Sequence, residues 1–196
     1  VGVTGSYGKT TVARLIARLL SLSGKHTGLA SSNGLFLDRR RSSQRDCANW
    51  ESAHRILLNR AVEAAVLENG GDSILTEGLA YDRCQVGVIT NIDPARHLGR
   101  LYIETEKQLF NLMRTQVDLV LKTGAAVLNA KDPQLVEMAE LCDGEVIFFA
   151  IDPAAPAMAA HLAKGGRGVY VSEGRITLAT GSETQRLCRL GDSPLR

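Results

Sequence analysis

One segment restricts the fold of this chain more than any other: Thr4-Gly5-Ser6-Tyr7-Gly8-Lys9-Thr10-Thr11, set between an apolar strand and a helix-forming stretch. A strand that turns through glycines directly into a helix aims backbone N–H groups and the positive end of the helix dipole at one point. Such a point binds phosphate. Lys9 adds a mobile cation for the β- and γ-phosphates, and the Thr10 hydroxyl can ligate Mg²⁺. Gly5, Ser6, Gly8, Lys9, Thr10 and Thr11 are therefore the expected nucleotide-binding residues of the loop. The longer motif G-x-x-x-x-G-K-[ST] needs glycine at position 3, where Val3 stands, so this is a shorter G-x-x-G-K-T form. The plain alternative is a glycine turn with a solvated lysine. Strand, loop, Gly-Lys-Thr and helix agree against it.

Apolar periodicity orders the rest of the chain. Val1–Thr4 reads as a strand. Residues 10–23 read as a helix, with Val12, Leu15, Ile16, Leu19 and Leu20 on one face and Gly24 ending it. Thr27–Ala30 reads as a strand, and the polar, Arg-rich stretch 33–48 as a loop. A short helix follows over 50–58, capped by Asn49. Ala64–Leu67 and Val86–Ile92 are continuous apolar runs, as in parallel strands buried on both faces. A long helix is expected over 104–121, a strand over 125–128, a helix opened by Pro133 and reaching Cys142, and a strand over 146–150. In the tail, Val169–Ser172 and Arg175–Leu178 flank Glu173-Gly174, a two-residue hairpin signal. The expected fold is α/β: a doubly wound, mostly parallel sheet of the phosphate-loop type, with helices on both faces and a small antiparallel C-terminal hairpin.

Composition sets outer limits. The 196 residues suit one α/β domain, and a net charge of +2 argues against nucleic acid as the main partner. No apolar run reaches the roughly 20 residues of a membrane helix. No signal peptide is read, and the start within a strand, without an initiator Met, suggests a segment of a longer protein. Cys47, Cys84, Cys142 and Cys188 lie far apart, so reduced thiols in a cytoplasmic protein are expected, rather than zinc ligands or disulfides.

With these residues in view, the chain resembles the central ATP-binding domain of the Mur ligase family, whose phosphate loop has the short T-G-x-x-G-K-T form. Later segments narrow the resemblance to the Mur-like domain of cyanophycin synthetases. They are Ala65-Val66-Leu67-Glu68, Ile74-Leu75-Thr76-Glu77-Gly78-Leu79, Tyr81-Asp82-Arg83-Cys84-Gln85-Val86-Gly87-Val88, Thr90-Asn91-Ile92 with His97-Leu98-Gly99, and Val127-Leu128-Asn129-Ala130-Lys131-Asp132-Pro133. The resemblance runs from Val1 to about Leu195, and so assigns 1–196 to one Mur-type central domain without the family's C-terminal lid. It implies an ATP-dependent ligase. ATP phosphorylates a carboxylate, an amine attacks the acyl phosphate, and an amide, ADP and phosphate result. The implied cofactors are ATP and Mg²⁺. The implied partners are an amino acid, a peptide or polymer carboxylate, and adjacent ATP-grasp and Mur lid domains in a homo-oligomeric full-length protein, with no role for nucleic acid or membrane.

The resemblance also implies site residues. Glu68, at the carboxyl end of an apolar strand where ligands gather in open α/β sheets, matches a Mg²⁺-associated glutamate; by itself it would be a solvated or paired carboxylate. His97 matches a histidine that helps hold a second metal; by itself it would be a surface or core histidine. Lys9, Glu68 and His97 are thus the implied catalytic set, and Thr10, Glu68 and His97 the implied metal set. Asn129 matches a residue associated with the base, while Asp132 fits either a nucleotide contact or a helix cap.

Several positions depart from the family pattern. Arg96 stands where an Asp precedes the histidine, which should weaken divalent binding. Met113 stands at a lysine that supports magnesium in many Mur ligases; its place on the stripe Leu109–Leu112–Met113–Val117–Val120 also fits plain core packing. Tyr7 replaces an asparagine, Asp72-Ser73 a glycine pair, and Lys131-Asp132 an Asp-Asp. Each lost support for phosphoryl transfer costs about 3 kcal/mol by analogy with a lost oxyanion donor. Two readings stay open: an active ligase with altered geometry, and a degenerate domain that binds nucleotide or scaffolds its neighbours. An unrelated phosphate-loop ATPase is a third. Arg39-Arg40-Arg41 with Arg45 could steer an acidic polymer, or be a solvated loop. Trp50 and Tyr81 read as packing residues.

Overall fold

The structure is a computed structural model that describes residues 1–192; the final part of the resemblance, to Leu195, lies outside the described residues. Among the described residues a single sheet of eleven strands organises the fold, in the order β11-β10-β9-β8-β7-β6-β1-β5-β2-β3-β4. The parallel body comprises β1 (Gly2–Thr4), β2 (Thr27–Ser31), β5 (Ala64–Glu68), β6 (Cys84–Ile89), β7 (Val120–Asn129), β8 (Glu145–Phe149) and β9 (Arg167–Ser172). Antiparallel strands extend it on both sides. β3 (Gly34–Leu37) and β4 (Arg40–Ser43) follow β2, and β10 (Arg175–Thr180) and β11 (Glu183–Arg189) follow β9.

Among the described residues six α-helices complete the fold: α1 (Lys9–Leu22), α2 (Trp50–Leu57), α3 (Gly71–Glu77), α4 (Glu106–Asp118), α5 (Pro133–Ala139) and α6 (Pro156–Ala163), with single 3-10 turns at Pro94–Arg96 and Leu190–Asp192. Strand alternation divides them between the two faces. Leu29 and Val66 pack with Ala13 and Ala17 of α1, whereas their neighbours Ala30 and Leu67 pack with Ala53 and Ile56 of α2. The largest cluster joins α4, α5 and α6 to β6, β7 and β8 through Leu109, Met113, Leu135, Met158, Ile89, Leu128 and Phe148. The expected doubly wound sheet with helices on both faces is therefore found.

Some expectations are corrected. The stretch 33–48 is not a loop throughout, because β3 and β4 form a meander on β2. Their turn needs Asp38 at φ 52°, and Asp38 is anchored by accepting from Thr27 N at 2.8 Å. The C-terminal hairpin gains a third strand, β11. The innermost residues of α1 are Ala13 and Ala17, which let the helix approach the sheet closely, while Leu19 is turned to solvent. Trp50 does not pack into the core; it lies at the surface, stacked on His54 one turn on, with ring centroids 4.5 Å apart. Leu109, Leu112, Met113 and Val117 of α4 are buried as expected, Met113 completely, but the helix ends at Asp118 rather than at 121, and Val120, read as part of the same helical stripe, is the buried first residue of β7. Cys47 and Cys84 are buried and Cys142 half-buried; burial pushes the Cys84 and Cys142 thiols up, away from the reactive thiolate. No described helix is long and apolar enough to cross a membrane.

Candidate functional site

The site forms where β1, β5, β6 and β2 end. After Thr4 the chain turns at Gly5, φ 131°, where a Cβ would lie 2.2 Å from Thr90 Oγ1. It turns again at Gly8, φ 78°, the residue before α1. Only glycine accepts both conformations without strain, and Gly5 also lacks room for a side chain. The loop is then sewn to the residues after β6. Ser6 N donates to Asn91 O at 3.0 Å, and Tyr7 N to Asn91 Oδ1 at 3.0 Å. Thr90 Oγ1 donates to Tyr7 O at 2.6 Å.

Lys9 arches back over the loop, and its Nζ donates to Gly5 O at 2.9 Å. Burial lowers the Lys9 pKa, Glu68 opposes that shift and Arg96 adds to it. The ammonium thus stands inside the cradle that the loop backbone forms, with its charge only partly balanced. Thr10 Oγ1 donates to Glu68 Oε1 at 2.9 Å and lies 2.8 Å from Ser32 Oγ. Glu68, only 3% exposed, also accepts from Ser32 N at 2.9 Å. A carboxylate this deep needs such donors to offset its lost hydration.

Beneath this cluster, a buried amide network holds the end of β5. Asn69 Nδ2 donates to Gln116 Oε1 of α4 and to Tyr81 Oη, each at 2.8 Å, and Tyr81 Oη donates to Gln116 Oε1 at 2.8 Å. Burial drives the Tyr81 pKa upward, so the phenol stays a donor. Gly2 leaves the space for this network: a Cβ there would meet Tyr81 Oη at 2.0 Å and Gln116 Oε1 at 2.4 Å.

On the other side of β1, the residues after β6 form a different group. Asp93 N donates to Ser6 Oγ at 2.8 Å, and Ser6 Oγ lies 3.0 Å from His97 Nε2. With Asp93 donating to it, the Ser6 hydroxyl is best used as a donor to a neutral His97. Burial, reinforced by the Lys9 charge, lowers the His97 pKa accordingly. Tyr7 Oη donates to Asp93 Oδ2 at 2.8 Å, and the Arg96 guanidinium lies over the Tyr7 ring, 4.6 Å from its centroid.

Of the residues singled out from sequence, the loop, Thr10 and Glu68 converge. His97 reaches the loop through Ser6, and no hydrogen bond links it to Thr10 or Glu68. Thr11 is exposed on α1. Asn129 and Asp132 are engaged within the protein. Asn129 Nδ2 donates to Thr90 O at 3.2 Å, and its Oδ1 accepts from Lys131 N at 3.0 Å. Asp132 caps α5 through Gln134 N at 3.1 Å and accepts from Ile92 N at 2.7 Å. Ser32, Asp93 and Asn69 were not foreseen. Ser32 stands just past β2 at the same sheet end as Glu68, so the rule that singled out Glu68 could have found it.

A comparison with known families decides what this geometry belongs to. Residues 3–182 match the model of the Mur ligase middle domain. The chain belongs to that family. This Mur ligase middle domain is 35% identical, over 195 residues, to a cyanophycin synthetase of Trichormus variabilis, covering 100% of this chain and 22% of that protein. It is 29% identical over 153 residues to a UDP-N-acetylmuramoyl-L-alanyl-D-glutamate--2,6-diaminopimelate ligase of Chlorobaculum tepidum, covering 76% of this chain and 29% of the relative. The chain thus spans about a fifth to a third of the length of these curated relatives. A solved UDP-N-acetylmuramoyl-L-alanyl-D-glutamate--2,6-diaminopimelate ligase superposes with a TM-score of 0.69 at 17% identity, over 95% of this chain and 38% of that one. At that identity the superposition shows the Mur middle-domain fold alone.

Among the described residues, no three His, Cys, Asp or Glu side chains gather into a metal cage. The Thr10 hydroxyl and the Glu68 carboxylate are hard oxygen donors side by side. They fit magnesium, which keeps several waters and takes one or two carboxylates together with substrate phosphates.

Proposed function

We propose that this chain is the nucleotide-binding domain of an ATP-dependent carboxylate–amine ligase, working inside a longer protein of the cyanophycin synthetase kind. A substrate carboxylate oxygen attacks the terminal phosphorus of ATP and ADP leaves. An amine then attacks the acyl phosphate carbonyl, forming an amide and releasing phosphate. The substrates would be an amino acid and a peptide or polymer carboxylate, with ATP-grasp and lid domains as neighbours.

The observation that carries this reading is the Thr10–Glu68 hydrogen bond, 2.9 Å long, at the foot of a loop whose lysine already points into it. Lys9 would leave the Gly5 carbonyl to meet the transferring phosphoryl group. Thr10 and Glu68 would hold the magnesium that accompanies the nucleotide, and that ion would neutralise phosphate charge. His97 positions the loop through Ser6, and its Nδ1, directed towards Gly71, is a candidate metal ligand. Asn129 and Asp132 would shape the wall beside the base.

A second reading has support of its own. Met113 is wholly buried, and Arg96 brings a cation to the site. A domain that binds nucleotide without transferring phosphate would tolerate both. ADP release by the full-length protein, with and without acceptor peptide and amine, separates the two. Under the ligase reading, the release that depends on this domain's acceptor and amine, above what the neighbouring ATP-grasp domain sustains, falls by two to three powers of ten in Lys9→Ala, equivalent to about 3–4 kcal/mol. Release that ignores Lys9→Ala would sink the ligase reading of this domain.

A further inference from the structure

Arg96 has no ion-pair partner among the described residues. Asp93, three residues before it, turns to other donors: one oxygen accepts from Tyr7 Oη, and the other from Ala95 N at 3.0 Å. What holds Arg96 is the face of Tyr7, 4.6 Å from the guanidinium carbon. Tyr7 is itself fixed at four points, by its amide on Asn91 Oδ1, its carbonyl under Thr90 Oγ1 and Asn91 Nδ2, and its hydroxyl on Asp93. A guanidinium stacked on an aromatic face keeps its in-plane N–H donors free, and is pre-organised to use them. The platform is residue 7 of the phosphate loop itself, so those donors belong to the mouth of the cradle.

β5 and β6 flank β1 on opposite sides, so Glu68 and Arg96 approach the loop from opposite directions. The Arg96 charge reaches both Lys9 and His97, lowering the pKa of each as a lesser cause behind burial. Cations assembled around a half-buried loop repel one another until an anion arrives.

We propose that Arg96, presented on the ring of Tyr7, is a second phosphate-binding cation of this site, gripping the nucleotide's phosphate chain opposite Lys9. The inference rests on the nucleotide-binding reading above. It predicts a contact to phosphate oxygen, where a solvated arginine resting on a tyrosine would make none.

The test is equilibrium binding of ATP and ADP to the protein at several KCl concentrations, in wild type, Lys9→Ala, Arg96→Ala, Arg96→Lys and Tyr7→Ala. The part of the signal lost in Lys9→Ala is the part due to this loop. Arg96→Ala should weaken that part about tenfold or more for ATP, as expected for a lost charge-assisted hydrogen bond, and less for ADP, which carries less charge. Its salt dependence should become shallower, because one cation fewer meets the ligand. Arg96→Lys should recover part of the loss, and Tyr7→Ala should fall between wild type and Arg96→Ala. If Arg96→Ala binds ATP with unchanged affinity and unchanged salt dependence, the inference is overturned while the nucleotide reading stands. A loss that keeps the wild-type salt dependence and is not rescued by lysine makes Arg96 a packing residue, and also overturns it. If wild type has no Lys9-dependent binding at all, the nucleotide reading fails first and takes the inference with it.

Discussion

The two flanks of the phosphate loop are built on opposite principles. On the β5 side, Glu68 is buried, and its carboxylate is met by Thr10 and Ser32. On the β6 side, Arg96 is exposed, unpaired among the described residues, and supported by an aromatic face. The first flank keeps its charge by satisfying it internally. The second keeps its charge by leaving it available. A buried charge without partners is costly, whereas an exposed one costs little to leave open. The flank with spare binding capacity is therefore the exposed one.

That contrast can be broken most severely at Glu68. In Glu68→Ala, Ser32 N–H loses its acceptor and the proposed magnesium loses its carboxylate. The Lys9-dependent part of ADP formation should drop by about two to three powers of ten, read by steady-state kinetics. Stability should fall by about 1–3 kcal/mol in chemical denaturation, because a buried donor is left unpaired. Unchanged kinetics would mean that this flank is merely structural.

Next in size is Gly2→Ala, which attacks the support of the same flank without touching it. The new methyl would enter the space of Tyr81 Oη and Gln116 Oε1, so overpacking should cost about 1–3 kcal/mol in thermal or denaturant unfolding. Tyr81→Phe in the same background should relieve part of that loss; purely additive costs would argue against a shared cause.

A smaller effect should follow pH on the opposite flank. Burial and Lys9 hold the His97 pKa below its ordinary value of 6.5. As pH falls, the unfolded chain therefore takes up this proton before the folded one. The His97 contribution to stability is complete above pH 6.5 and is lost as pH drops through that value towards the lowered folded pKa. Denaturation curves between pH 7.5 and 5.5 should show the loss in wild type and a flatter profile in His97→Gln. Smallest of all is Tyr7→Phe, which removes an exposed bond to Asp93 but keeps the ring beneath Arg96. Its stability should stay close to that of wild type in chemical denaturation, since the bond lost is open to solvent. A larger change would mean that the hydroxyl, not the ring, organises the cationic flank.

The two flanks also differ in how far sequence exposes them. Glu68 ends an apolar run beside a glycine-lysine-threonine loop, so its place at the sheet's carboxyl end follows from local pattern. The pairing of Tyr7 with Arg96 joins residues far apart in the chain, through a contact that leaves no periodic trace. Most of the parallel body, β1, β2, β5, β6, the second half of β7 and β8, was legible because those runs are apolar; the first half of β7, which holds exposed Lys122-Thr123, and the parallel pairing of β9 with β8 were not. β3 and β4 were not, since Arg40-Arg41-Ser42-Ser43 is polar and exposed, and takes its strand geometry from pairing with Leu35–Leu37. The short helix α3 begins at one of two glycines, a poor local signal for any helix. Leu19 was misjudged because Ala13 and Ala17 carry too little apolar bulk to mark the true inner face.

Among the described residues the sheet stops at β4 on one side and β11 on the other. Each outer strand leaves a row of main-chain donors and acceptors open to a strand from another molecule. Both outer pairs carry a register shift, between Leu35 and Phe36 on one side and Ile176 and Thr177 on the other. Both outer strands also carry charge: Arg40 and Arg41 on β4, and Glu183, Arg186 and Arg189 on β11. A sheet left open by its geometry is in this way closed to strand exchange by its irregular, charged margins.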